Sequence, residues 1–221
     1  MRKQGFTLAE VLITLSIIGV VAALTIPSLV KNYEEAITAV RARKAYSQLV
    51  QAWTLYIADN KEEVVGSPAL SSTTTFSNNF IKKYFKYAKS VSAHEVTQLR
   101  STSSNSLNGI QLKDGTLLLV RAFKSDCGRG DGILYCAVIY FDINGDKGPN
   151  RIGFDTFEAT LLENRVTHLN GTNPNSLVNR TCIVPESEAS WTTANNRGNG
   201  CLNRILQGKP KWCKSSECQK N

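Results

Sequence analysis

From Phe6 to Ile26 the chain reads FTLAEVLITLSIIGVVAALTI, 21 residues with a single charge, Glu10. As a helix rising 1.5 Å per residue this run is roughly 32 Å long, enough to cross the hydrocarbon core of a bilayer. Pro27 removes one helical hydrogen bond and is expected to kink the helix rather than end it. Beyond it, the stretch to Asn60 holds no glycine or proline. Apolar side chains return there at Leu29, Tyr33, Ile37, Val40, Leu49, Trp53 and Tyr56, with Ala36, Ala45 and Ala52 close to the same face. Lys31, Glu34, Glu35, Arg41, Arg43, Lys44 and Gln48 fall on the other. The spacing predicts one helix over 6–59, apolar all round over 6–26 and amphipathic over 27–59. Its second half needs a surface to lie on, and residues 60–221 must supply it as a globular head.

The head's pattern is that of a small antiparallel sheet. Residues 61–79, rich in Ser, Thr, Gly and Pro, read as a loop. FIKKYFKYAKS (Phe80–Ser90) reads as a short amphipathic helix with Lys82, Lys83, Lys86 and Lys89 on its polar side. Ser101–Gly109 reads as a second loop. Gly109–Leu112 and Thr116–Phe123 flank Asp114-Gly115, a hairpin turn dipeptide. Ile133–Asp142 is dense in β-branched and aromatic residues, and Arg151–Leu162 predicts one more strand, making about four. Glu163–Asn221 predicts a loop-dominated tail. The fold class is therefore α+β: a long helix on a small antiparallel sheet, with a loop-rich C-terminal region.

Charge and cysteine usage refine this picture. The chain carries 26 basic and 18 acidic side chains, a net charge of +8. A basic surface favours DNA, anionic lipid or an acidic subunit, and the Lys82–Lys89 cluster with its aromatics is a candidate nucleic-acid contact. Cys127, Cys136, Cys182, Cys201, Cys213 and Cys218 all lie beyond the apolar run, and an even count in an exported region points to disulfides. Six cysteines allow 15 pairings; neighbour pairing, Cys127–Cys136, Cys182–Cys201 and Cys213–Cys218, is the simplest. No CxxC occurs, which disfavours zinc.

Asp142, Asn144 and Asp146 stand at the spacing of the first three ligands of a calcium loop. Lys147 and Gly153 break that pattern where glycine and glutamate are required, and Asp155 would have to substitute. The competing reading is a solvated Asn-Gly turn. GxSxG, GxxxxGK[ST], HExxH and GxGxxG are all absent, so no enzyme is expected.

The N-terminus carries the most specific pattern. Arg2 and Lys3 precede Gly5 and, by the positive-inside rule, keep that end in the cytosol with the head extracytoplasmic. A secretory signal peptide, cut near Val21-Ala-Ala23, would have a shorter apolar region. A plain anchor leaves Gly5-Phe6 and Glu10 without purpose, although an acid in a span costs about 2.5–3.5 kcal/mol on insertion scales.

Gly5-Phe6-Thr7-Leu8-Ala9-Glu10, the long apolar run and Pro27 together resemble the type IV pilin and type II secretion pseudopilin superfamily. The resemblance implies that residues 1–5 are a leader cut after Gly5 by a prepilin peptidase. It implies that Phe6 becomes an N-methylated terminus and that Glu10 pairs with a neighbour's terminal amine. It also implies a bacterial single-pass membrane protein that joins other pilin or pseudopilin subunits through an inner-membrane assembly platform. With Arg2 and Lys3 gone, 24 basic side chains against 18 acidic leave +6. Some heads of the family hold calcium in a loop, which bears on Asp142, Asn144, Asp146 and Asp155; no other cofactor is implied.

Overall fold

The computed structural model describes residues 5, 7–60, 64–66, 72–95, 106–128, 135–148, 150, 152–167 and 201–208. The chain divides into two units, 1–38 and 39–221. One helix, α1 (Leu8–Asp59), runs unbroken through Pro27. The remaining elements all belong to the second unit.

There α1 buries Ala42, Ala45, Leu49, Ala52, Trp53 and Tyr56, a stripe at spacings of three and four that keeps one helix face turned inward. The stripe meets a six-stranded antiparallel sheet whose strands follow one another in chain order. These are β1 (Tyr87–Glu95), β2 (Ser106–Leu112), β3 (Leu117–Phe123), β4 (Ala137–Asp142), β5 (Thr156–Leu161) and β6 (Val166–Thr167). Alternate residues of the central strands, Ile110, Leu118, Val120, Ala137, Ile139, Phe141, Phe157, Ala159 and Leu161, join the helix stripe in one core. Leu117, Leu119 and Tyr140 point to the opposite face and form a second cluster with Leu107 and Ile152, as the two-residue period of a strand requires. Leu29, Tyr33 and Val40 share the predicted apolar stripe but stay 62–69% exposed. Burial of α1 starts at Ala42.

Three short helical turns connect α1 to the sheet: α2 (Thr73–Phe76), a π-helical turn (Ser77–Ile81) and α3 (Lys82–Tyr84). The Ser72 hydroxyl accepts the Thr75 N–H at 3.0 Å and starts α2. This connection wraps an aromatic cluster around Trp53. The Trp53 ring stacks on Tyr56 at 5.0 Å and meets Phe80 edge-on at 5.1 Å. Its Nε1–H donates to the Leu162 carbonyl at 2.8 Å. The Tyr84 hydroxyl donates to Asp59 Oδ2 at 2.6 Å and ties α3 to the end of α1.

Several expectations need correction. The sheet has six strands rather than four. Phe80–Ser90 is not one helix: the backbone turns extended at Phe85, and Tyr87–Ser90 pair with β2 instead. Pairing to the sheet outweighs the helical periodicity of those residues. Ser106–Gly109 belong to β2 rather than to a loop. The C-terminal region contains β6 and a further helix, α4 (Cys201–Leu206), whose first five residues are buried. The Asp114-Gly115 turn forms as read. Gly115 has φ 91°, and the Asp114 carboxylate accepts the Thr116 N–H at 3.1 Å.

Gly109 is glycine because β2 and β3 approach too closely for a side chain. A Cβ there would stand 1.8 Å from the Leu118 carbonyl oxygen, a backbone atom. Gly109→Ala should therefore cost about 1–3 kcal/mol, toward the upper end because backbone must move. Thermal unfolding followed by Trp53 fluorescence measures it; an unchanged midpoint would contradict the close approach.

Candidate functional site

The N-terminal unit exposes an apolar surface on every side. Its most apolar 18-residue window has a mean hydropathy of 2.3 and is not buried. Leu8, Leu12, Ile13, Leu15, Ile17 and Ile18 are each more than half exposed, and they point in every direction around the helix. The hydroxyls of this stretch make no demand on surroundings. Thr14 and Thr25 Oγ1 donate to the carbonyls of Val11 and Val21 at 2.9 Å, and Ser16 Oγ to that of Leu12 at 2.8 Å. Such back-bonding lets polar side chains sit in a hydrocarbon environment.

Glu10 is held at the helix start by Thr7. The Thr7 N–H donates to Glu10 Oε2 at 2.8 Å, and the Thr7 hydroxyl donates to the same oxygen at 2.9 Å. The Glu10 N–H donates back to Thr7 Oγ1 at 3.3 Å. This is a capping box, Thr-x-x-Glu, which satisfies two otherwise orphaned backbone N–H groups. The signal was present in the sequence as T-L-A-E, yet the reading above gave Thr7 no role. Both hydrogen bonds that Glu10 accepts use Oε2, and Oε1 has no partner among the described residues. Residues 7–30 contain no lysine, arginine or histidine, so the span holds no cation for this carboxylate. Among the described residues, Gly5 has nothing within 4 Å of the place a Cβ would occupy. Phe6, Arg2 and Lys3 lie outside the described residues.

A comparison with protein families matches residues 1–26 to the prokaryotic N-terminal methylation motif. The chain thus carries the prepilin-type signal of type IV pilins and pseudopilins, and the match supports a pilin-like or pseudopilin subunit anchored in the membrane by α1. No curated protein and no solved structure matches the chain.

In the head, Cys127 and Cys136 form a disulfide, as neighbour pairing predicts, joining the turn after β3 to the start of β4. Cys201 is also disulfide-bonded. Cys182, Cys213 and Cys218 lie outside the described residues. The lysines read as one cluster are divided. Lys82 and Lys83 lie on α3, Lys89 lies on the edge strand β1, and Lys86 lies between them.

The acidic residues of the β4–β5 connection come together only in part. Asp142 is fully buried and Asp155 is 4% exposed, whereas Asp146 is exposed. Asn144 bridges them: its backbone N–H donates to Asp142 Oδ1 at 3.2 Å and its side-chain Nδ2 to Asp155 Oδ2 at 3.3 Å. The Asn150 N–H adds a bond to Asp155 Oδ2 at 2.9 Å. Thr156 is paired directly opposite Asp142 and so shares its face. Asn144 Oδ1 and Thr156 Oγ1 are both buried without a hydrogen-bond partner.

Burial, and next the nearby charge of Asp155, push the Asp142 carboxyl up to about 8. An unfolded aspartate titrates near 4. Between these values the folded chain keeps a proton that the unfolded chain has released, so stability falls as pH rises. In calcium-free buffer, full-length protein in detergent should lose thermal midpoint from pH 5 to pH 8.5. Asp142→Asn should flatten that loss; an equally steep fall in the variant would assign the dependence elsewhere.

Proposed function

We propose that this chain is a structural subunit, a minor pilin or pseudopilin, of a type IV pilus or type II secretion pseudopilus. In this reading a membrane-embedded prepilin peptidase cuts after Gly5 and methylates Phe6. The chain waits in the cytoplasmic membrane with the head outside, and an inner-membrane platform then moves it into a fibre. The observation that carries the proposal is the matched signal followed by a helical span, residues 6–26, whose one acid, Glu10, has no cation within it.

The physical driver is lateral packing of apolar helices. A carboxylate in hydrocarbon is costly until it is paired, and cleavage after Gly5 creates an amine on each neighbour at the right end of the helix. Thr7 holds Glu10 Oε2, which leaves Oε1 to accept that amine. The role is one of assembly, with no catalytic step. A binding head for DNA or surfaces is the weaker alternative, supported by the +6 charge and by the exposure of Lys83, Lys86 and Lys89.

Sequencing the mature protein should return Phe6 as the first residue, and Gly5→Leu should block processing. Glu10→Ala should leave cleavage and membrane insertion intact but reduce pelletable fibres; normal fibre yield from that variant would remove the pairing role.

Calcium belongs to the proposal for the head alone. Two buried carboxylates with the neutral oxygens Asn144 Oδ1 and Thr156 Oγ1 form a hard-oxygen set of the kind calcium takes. Added calcium should raise the thermal midpoint of the wild-type chain but not that of Asp155→Asn. No shift in the wild type would eliminate calcium.

A further inference from the structure

Beside the buried stripe of α1 runs a cleft of about 530 Å³. One wall is the helix itself, with Lys44, Gln48, Gln51 and Leu55 spaced to lie on one face. From Lys44 to Leu55 that wall is roughly 16 Å long. The other wall runs from Asp114 and Lys113 in the β2–β3 turn to Lys86 and Tyr84.

The lining is unsatisfied in three ways. Lys44 is neutralised by Asp114 at 2.6 Å, but Lys86 and Lys113 are exposed and have no carboxylate partner among the described residues. Gln48 Oε1 is buried and accepts no hydrogen bond. Leu55 is 56% exposed. An occupant of complementary chemistry would bring carboxylates for the two lysines, a donor for the glutamine, and some apolar surface.

The sequence holds adjacent acids at Glu34-Glu35 on α1 and at Glu62-Glu63, of which the first pair lies on a described helix. Among the residues whose side chains are described, neither Glu34 nor Glu35 is in an ion pair. Glu34 is exposed, and the same turn exposes the amide of Asn32 and the phenol of Tyr33, both hydrogen-bond donors. We infer that the cleft receives the Glu34-Glu35 turn of a second copy of this chain, with Lys86 and Lys113 pairing its carboxylates. The inference rests on the assembly reading above and adds to it a second polar contact, outside the membrane. A basic chain that packs against itself must offset the repulsion between its heads, and opposite charges across the contact do so while fixing orientation.

Fibres assembled from equal parts ¹⁴N- and ¹⁵N-labelled wild-type protein would be treated with a carbodiimide, which joins carboxylates to lysine amines without a spacer. Mass spectrometry should find peptides containing Glu34 or Glu35 joined to peptides containing Lys86 or Lys113, in mixed-isotope form. Fibres without that cross-link overturn the inference and leave the assembly reading standing, as do links confined to one copy or made to a different protein. Fibres from which this chain is absent overturn both. Lys86→Glu with Lys113→Glu should lose pelletable fibre, and adding Glu34→Lys with Glu35→Lys should restore it. A double charge reversal that assembles normally, or is not rescued, also counts against the contact.

Discussion

The head depends on the placement of one side chain, Trp53. Its indole fills the space between α1, the helical connection and the sheet. It touches Tyr56 and Phe80 on one side and donates to the Leu162 carbonyl on the other. The ring brings a large apolar surface, and its N–H ends on a carbonyl at the end of β5, so the helix is fixed both by area and by direction. Around it Leu49, Ala52 and Tyr56 share one core with Ile139, Phe141 and Phe157. The small residues Ala42, Ala45 and Ala52 keep the helix close to the sheet.

The same helix answers two solvents. Up to Pro27 its side chains are apolar on every side and its hydroxyls bond to its own backbone. From Ala42 onward one stripe is buried in the head and the rest faces water. The two halves carry different chemistry because they have different neighbours: lipid and other helices for one, a sheet of the same chain for the other.

The helix was legible because its signals are strong and local. Its length, its apolar content and its later periodicity all agree, and so did the Asp114-Gly115 turn and the Cys127–Cys136 bond. Strand β1 was not legible. Phe80, Ile81, Tyr84 and Phe85 carry a helical spacing, and nothing local shows that Tyr87–Ser90 will be claimed by β2. Strand β6, two residues long, has no pattern to read. At the candidate site, Gly5 and Glu10 stood out by type and order, whereas Thr7 passed unnoticed because its hydroxyl matters only through the oxygen it holds. The pairing of Asp142 with Asp155, 13 positions apart, depends on the β4–β5 register, which composition does not encode.

The inward turn of Thr14, Ser16 and Thr25 has a consequence for selectivity. Having spent their donors at home, these side chains offer a passing helix only methyl and methylene groups along most of the span. Any homologous anchor of similar girth would fit such a wall about equally well. In the assembly proposed above, discrimination between one kind of subunit and another then falls to surfaces outside the bilayer, and the apolar stretch fixes depth and not identity.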